Sequence, residues 1–168
     1  MSLSLYSASI PQFVRMFGNL SAILDKAVAF SEERKIDHAV LLNARLAPDM
    51  HPLTRQVQIA SDLAKGCAAR LAGVEPPSFA DNESSFAELQ ARIGKTLEFI
   101  RSVTPEQINA GAGREILLKF PNSEFNFKAP DYVLHFVLPN FYFHVTTAYA
   151  ILRHNGLAIG KMDYMGGK

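Results

Sequence analysis

The sequence feature that most constrains the fold is the stretch from Asp131 to His154, which is apolar on nearly every side. If this stretch is one helix, three- and four-residue spacing places six side chains on one face: Val133, Val137, Asn140, His144, Ala148 and Ile151. An amide or imidazole that is buried without a hydrogen-bond partner costs roughly 1–3 kcal/mol. We therefore expect Asn140 and His144 to be hydrogen-bonded, metal-bound or facing a wet cavity, and we place the candidate site there.

Two further helices are predicted in the first half of the chain. In the first, apolar residues from Phe13 to Phe30 keep a helical period, and Pro11 suits the first turn. The second follows the start signal at residues 49–52 and ends at Gly73, a residue suited to a left-handed cap. A short turn, helical in part, is expected between them around residues 40–46.

The third predicted helix has capping-box spacing at Ser85 and Glu88 and ends before Thr104. Residues 111–130 then switch to short apolar runs, which indicate a hairpin or an extended loop lying on the helices. The tail from residue 156 is glycine-rich and is predicted to be irregular. Four long helices with one long crossover predict an all-α single domain over residues 1–168, an antiparallel four-helix bundle with a long loop or short hairpin before the last helix.

Composition argues against several classes of partner. The 17 lysines and arginines balance 16 acidic residues without a long run of either sign, so we expect no nucleic-acid or membrane partner. The single cysteine, Cys67, excludes an intrachain disulfide. The N-terminus lacks signal-peptide character and no apolar run is long enough for a membrane span, so a cytoplasmic protein is expected. The apolar excess of the last helix predicts a homodimer.

The last helix also resembles a known family. Phe143-His144, followed by Tyr149, Leu152-Arg153 and Asn155-Gly156, is similar to the final helix of the DinB/YfiT-like superfamily. A closer resemblance is to a bacterial family of unassigned reaction within it, through these segments: Gln56-Val57-Gln58, Arg70 to Gly73, Pro139 to His144, Leu152 to Gly156, Gly160-Lys161 and Asp163-Tyr164. The resemblance spans almost the whole chain and implies a DinB-like fold.

Metal-binding members of that superfamily present three histidines, one on the second helix and two at i and i+4 on the last. The resemblance places those positions on Gln56, Asn140 and His144, with Gln58 as the alternative if the register is shifted. One imidazole and two amides form a poor ligand set for nickel, zinc or iron. We therefore predict a hydrogen-bonded cluster that encloses water or a small polar ligand.

Two function classes remain open at this point. The first is a small-ligand-binding bundle with a degenerate metal site, in which Tyr142 and Tyr149 also line the pocket. The second is a divalent-metal-dependent hydrolase or thiol-dependent transferase, as the resemblance implies. In that enzyme His144 is the surviving ligand, and Asp62, water or substrate supplies the others. The residues alone do not decide whether any reaction is catalysed.

Overall fold

Helices dominate the computed structural model, which describes residues 3–167. The elements in chain order are α1 (Leu5–Arg34), α2 (His38–Leu42), α3 (Leu53–Ala72), α4 (Phe86–Ser102), α5 (Pro105–Ala110), a 3₁₀ turn (Gly111–Gly113), β1 (Glu115–Phe120), β2 (Ser123–Lys128), α6 (Ala129–Asp131), a π-helix (Tyr132–Val137), α7 (Leu138–His154) and α8 (Lys161–Met165). The predicted second and third helices are α3 and α4. The predicted last helix comprises α6, the π-helix and α7.

The first helix starts earlier than the sequence pattern suggested. Ser4 caps α1 by accepting a hydrogen bond from the Ser7 backbone N–H, so Pro11 lies inside the helix and not in its first turn. This capping box uses serine at both positions, and the apolar spacing that located the helix begins only after it. At the end of α3, the prediction was right: Gly73 has the left-handed φ of 74°.

The direction of each long helix follows from its contacts. In the antiparallel pair α3 and α7, Gln56 contacts His144 and Arg70 contacts Tyr132. The loop of residues 73–85 instead returns along α3, where Lys65 donates to the Pro77 carbonyl oxygen. Because this loop brings the chain back toward the start of α3 before α4 begins, α4 runs in the same direction as α3.

The start of α1 contacts the residues after α4, where the Tyr6 N–H donates to Asn109. Ser21, farther along α1, donates to Gln90 in the second turn of α4, so α1 is antiparallel to α4. The helices α1 and α7 therefore run in one direction, and α3 and α4 run in the opposite direction.

The last helix is interrupted where the sequence places its proline. A π-helix spans Tyr132–Val137, and the Leu138 N–H donates to the carbonyl oxygen of Val133, five residues back. Pro139 has no N–H and cannot bond the carbonyl of His135, which favours irregular pairing in the preceding turn. The interpretation of residues 131–154 as one helix is thus replaced by a π-helix that runs into α7.

The crossover before the last helix contains the hairpin that was one of two predicted forms. Strands β1 and β2 pair antiparallel from Glu115–Lys128 to Phe120–Ser123. Ile116 and Leu118 are buried against the bundle. The ring of Phe127 lies 5.7 Å from that of Phe136, which joins the hairpin to the π-helix.

Two short helices were not predicted. Thr104 accepts a hydrogen bond from the Gln107 N–H and thereby starts α5, directly after the point where the third helix was expected to end. In the tail, the Asp163 carboxylate accepts from the Gly160 N–H and starts α8, so the tail is not wholly irregular. Both helices are too short for apolar periodicity to reveal them.

The core is formed by all four long helices. Phe13 and Phe17 of α1 pack edge-on against Phe141 of α7, with ring centroids 4.8 and 5.3 Å apart. These contacts place α7 between α1 and α3 and thereby carry His144 inward. Within residues 3–167, no helix combines the length and apolar character that a membrane span requires.

Candidate functional site

A hydrogen-bonded pair of side chains links the facing surfaces of α3 and α7. The Nδ1 atom of His144 lies 2.7 Å from Oε1 of Gln56. Gln56 is 1% exposed and His144 is 8% exposed, so both belong to the packed interior. The sequence-predicted partners on the second and last helices are therefore in direct contact.

The hydrogen bonds around Gln56 determine which nitrogen of His144 carries the proton. The carbonyl oxygen of His51 can only accept, so the amide Nε2 of Gln56, 2.9 Å away, must donate. This orientation leaves the amide oxygen of Gln56 as the acceptor toward His144. The imidazole accordingly holds its hydrogen on Nδ1 and keeps a lone pair on Nε2.

The imidazole is neutral near pH 7. Burial, aided by the nearby positive charges of His51 and Arg55, lowers the pKa of His144 from 6.5 to about 4. Nε2 has no hydrogen-bond partner within residues 3–167, where the one fully enclosed, unpartnered side-chain nitrogen or oxygen is Nε of Arg92. Nε2 of His144 therefore remains in contact with solvent and presents a hydrogen-bond acceptor there.

The other predicted site residues occupy less central positions. Asn140 is half-buried one turn before His144, and its side chain makes no hydrogen bond to the residues described. Tyr142 is also half-buried and packs edge-on against Phe141. Tyr149 packs against Tyr164 of α8, with ring centroids 5.9 Å apart. The structure thus joins Gln56 to His144, while Tyr149 contacts the C-terminal helix.

A second polar cluster lies on the other side of α3, and its central residue was not predicted from the sequence. The Arg92 side chain of α4 is 1% exposed and forms ion pairs with Asp62 at 2.8 Å, Asp81 at 3.0 Å and Glu83 at 2.9 Å. Arg92 lies three residues after Leu89 and four before Thr96, both buried, and this helical spacing was a sequence signal of its burial. The cluster fastens the loop before α4 to α3.

This second cluster also engages both alternative site residues. The side-chain amide of Gln58 donates to Glu83 at 2.8 Å and accepts from Arg55 at 3.1 Å. Asp62 pairs with Lys65 at 3.1 Å as well as with Arg92. Of the two glutamines considered for the second-helix position, Gln56 is therefore the one bonded to His144.

The charges of the cluster lower the pKa values of its carboxylates. Burial raises the pKa of Asp81, but hydrogen bonds and positive charge from Arg55 and Arg92 outweigh it and hold that pKa below its usual value. Burial acts the same way on Glu83, whose pKa is nevertheless lowered by Arg92 and Gln58. These groups are ionised at neutral pH and already have partners.

Comparison with protein families decides the membership of the chain. The family model described as "Domain of unknown function (DUF1993)" matches residues 5–165. The chain belongs to the DUF1993 family. No curated protein matches it.

A solved relative of this DUF1993 chain supports the same assignment. The chain is similar to the crystal structure of a DinB family member protein from Shewanella denitrificans, with 42% identity and a TM-score of 0.89. The similarity covers 98% of this chain and 93% of that one. The predicted all-α, DinB-like fold and the predicted resemblance are therefore confirmed.

The side chains of this DUF1993 protein do not fit the superfamily's divalent metal. Within residues 3–167, no group of three or more histidine, cysteine, aspartate or glutamate side chains could hold a metal ion. Nδ1 of His144 is hydrogen-bonded to Gln56, which leaves Nε2 as the one imidazole nitrogen of this pair that could coordinate a metal. The neutral amides of Gln56 and Asn140 are poor additional ligands, because nickel, zinc and iron sites use imidazole, thiolate and carboxylate groups.

Proposed function

We propose that this DUF1993 protein binds a small polar ligand at Nε2 of His144, in a pocket that has replaced a metal site. The observation that carries the proposal is the buried Gln56–His144 hydrogen bond. Because that bond holds the proton on Nδ1, the free nitrogen can accept a hydrogen from an O–H or N–H group. The ligand is accordingly one that offers a hydrogen-bond donor.

The electrostatics of the pair support a binding role at neutral pH. The lowered pKa of His144 keeps Nε2 unprotonated, so an acceptor is available without prior loss of a proton. The positive charge of Arg55 also favours a ligand that bears a negative charge next to its donor group. A small hydroxy acid combines these two properties.

Nitrogen NMR of histidine-labelled protein tests the acceptor directly. In the free protein we expect His144 to show the tautomer protonated at Nδ1, and we expect the Nε2 resonance to shift when a bound donor is present. A panel of small hydroxy acids, polyols and amines is titrated into the wild type and into His144→Asn. Titration of the wild type without any shift at Nε2 would contradict the proposal.

Native mass spectrometry of untagged protein from cell extract provides a second test. A small molecule that copurifies with the wild type should be lost from His144→Phe, because the phenyl ring has no acceptor. His154→Phe is the matched control, since His154 is exposed on the same helix. Equal retention by both variants would place the molecule elsewhere.

Elemental analysis separates this proposal from the metal-assisted hydrolase or transferase. Protein prepared without a polyhistidine tag should contain far less than one equivalent of nickel, zinc or iron, since the donor set is poor. Near-stoichiometric metal that disappears in His144→Asn would favour the enzyme class instead.

A further inference from the structure

The hairpin leaves two strand edges without a partner in the part of the chain that the structure describes. Its sheet contains β1 and β2 alone, so each strand pairs along one edge. Three large apolar side chains of this hairpin are nearly half exposed: Leu117 at 49%, Phe120 at 45% and Phe125 at 48%. An open strand edge that carries exposed apolar residues is a template for pairing with another strand.

Open space follows the free edge of β1. A cleft of 340 Å³ is lined by Arg70 and Arg114 together with the consecutive residues Glu115, Ile116 and Leu117. Successive residues of a strand point to opposite faces of the sheet. A cleft that contacts three in a row therefore runs along the edge of the strand, where an additional strand would lie.

The sequence of β1 is complementary to itself when two copies run antiparallel. Pairing about Leu117 places Glu115 of each copy opposite Lys119 of the other, so two opposite-charge pairs form on one face. On the other face, Ile116 of each copy lies opposite Leu118. A shift to Leu118 as the central residue places Leu117 opposite Lys119, and a shift to Ile116 places Glu115 opposite Leu117.

We propose that β1 is the interface between two copies of this chain, joined antiparallel about Leu117 into a four-stranded sheet. The occupant of the free edge is therefore a second copy. The charge match occurs in this one register among its neighbours, and the backbone edge supplies the hydrogen bonds. Because the contact is short, the dimer is weaker than an obligate one.

Charge exchange between the two positions tests both the interface and its register. Glu115→Lys places lysine opposite Lys119 of the second copy, and Lys119→Glu places glutamate opposite Glu115. Each change converts both cross-strand pairs into like-charge pairs, so we expect each variant to raise the dimer dissociation constant about tenfold. An equimolar mixture of the two variants restores both pairs and should form the heterodimer, as should the double variant with itself.

Sedimentation equilibrium from about ten micromolar to about one millimolar protein measures these constants. Glu124→Lys is the matched control, because it changes the charge of the hairpin on β2 and also removes the contact with Lys119 at 3.6 Å. Hydrogen exchange should show that the β1 amides become protected as protein concentration rises. The mixture must regain the dimer affinity that each single variant loses, and two misfolded variants could not do so.

Three results would overturn the proposal. The first is a wild-type chain that stays monomeric throughout this concentration range, which leaves the edge open to an unrelated extended peptide. The second is a dimer whose constant is unchanged in both single variants, as expected if the apolar face of the last helix forms the contact. The third is a loss of dimer affinity in both variants that mixing them does not restore.

Discussion

The two polar clusters on α3 differ in charge and in whether an unused hydrogen-bonding atom is in contact with solvent. Around Arg92, three carboxylates from α3 and the following loop surround one guanidinium group. Between α3 and α7, one amide and one neutral imidazole meet, and a nitrogen of the imidazole remains free. Apart from the enclosed Nε of Arg92, the first cluster is paired within its own chain, whereas the second has an unused acceptor that contacts solvent.

This difference separates a structural role from a binding role. The Arg92 cluster holds a loop without regular structure against the bundle, because Arg92 also donates to the Ala80 carbonyl oxygen at 3.1 Å. A ligand would have to displace these partners, at the cost of leaving charges unpaired. The Gln56–His144 pair can accept a ligand without losing a bond. Buried polar residues therefore become site candidates when an unused donor or acceptor is in contact with solvent.

The largest expected effect is the loss of Arg92. Arg92→Ala leaves Asp62, Asp81 and Glu83 without their shared cation, which should lower the free energy of unfolding by about 3 kcal/mol. Because two of these carboxylates are partly exposed, the loss lies at the low end for a broken buried ion pair. Urea denaturation measures it, with the exposed Arg101→Ala of the same helix as control. A loss below about 1 kcal/mol would mean that the cluster does not hold the loop.

The contributions of the two clusters to the free energy of unfolding should be lost in different pH ranges during acid titration. The folded chain resists protonation of His144 down to about pH 4, whereas the unfolded chain accepts that proton near pH 6.5. Stability at His144 is therefore complete above pH 6.5 and falls as the pH drops toward 4, by up to about 3 kcal/mol. The carboxylates Asp81 and Glu83, with lowered pKa values, lose their contribution only as the pH falls below 3.8 and 4.5.

The variant His144→Asn should remove the first of these two phases. Unfolding free energies of wild type and variant, measured from pH 7 to pH 4, should converge as the wild type loses its advantage. A constant difference across that interval would show that the imidazole is solvated and has an ordinary pKa.

Substitutions of His144 should have an intermediate effect at neutral pH. His144→Ala leaves the amide oxygen of Gln56 without its donor and should cost roughly 1–3 kcal/mol, unless water fills the space. His144→Phe should cost more than His144→Asn, since asparagine can still donate toward Gln56. Denaturation midpoints of the three variants test this order. Effects uniformly within about 0.5 kcal/mol would remove His144 and the proposed pocket from consideration.

The smallest expected effect is at Asp62, the carboxylate that the metal-assisted enzyme class left available as a metal ligand. Asp62→Asn keeps an acceptor oxygen for Arg92 and Lys65, and the carboxylate is partly exposed. We therefore expect less than about 1 kcal/mol of destabilisation and no change in zinc uptake. Calorimetric titration with zinc measures the second quantity, and a lost binding step would assign Asp62 to a metal site.

The resemblance to the superfamily implied the pairing of Gln56 with His144, and helical phase in two amphipathic segments explains why both side chains face inward. Apolar periodicity orients each helix toward the core, so polar residues in phase with the stripe must face inward as well. The ion pairs of Arg92 could not be predicted in this way, because its partners Asp81 and Glu83 lie in a loop that has no periodicity. The link from Tyr149 to Tyr164 likewise depends on α8, a helix of five residues.

Local chemistry in the sequence determined the four long helices, the capping box at Ser85, the left-handed end at Gly73 and the inward phase of Gln56 and His144. These features depend on residues a few positions apart, whose interactions repeat with the period of the helix. Only the tertiary structure decided that α4 runs parallel to α3 and that Nδ1 of His144 carries the proton. Those outcomes depend on contacts between residues far apart in the chain, such as Gln56 with His144, and no local pattern encodes them.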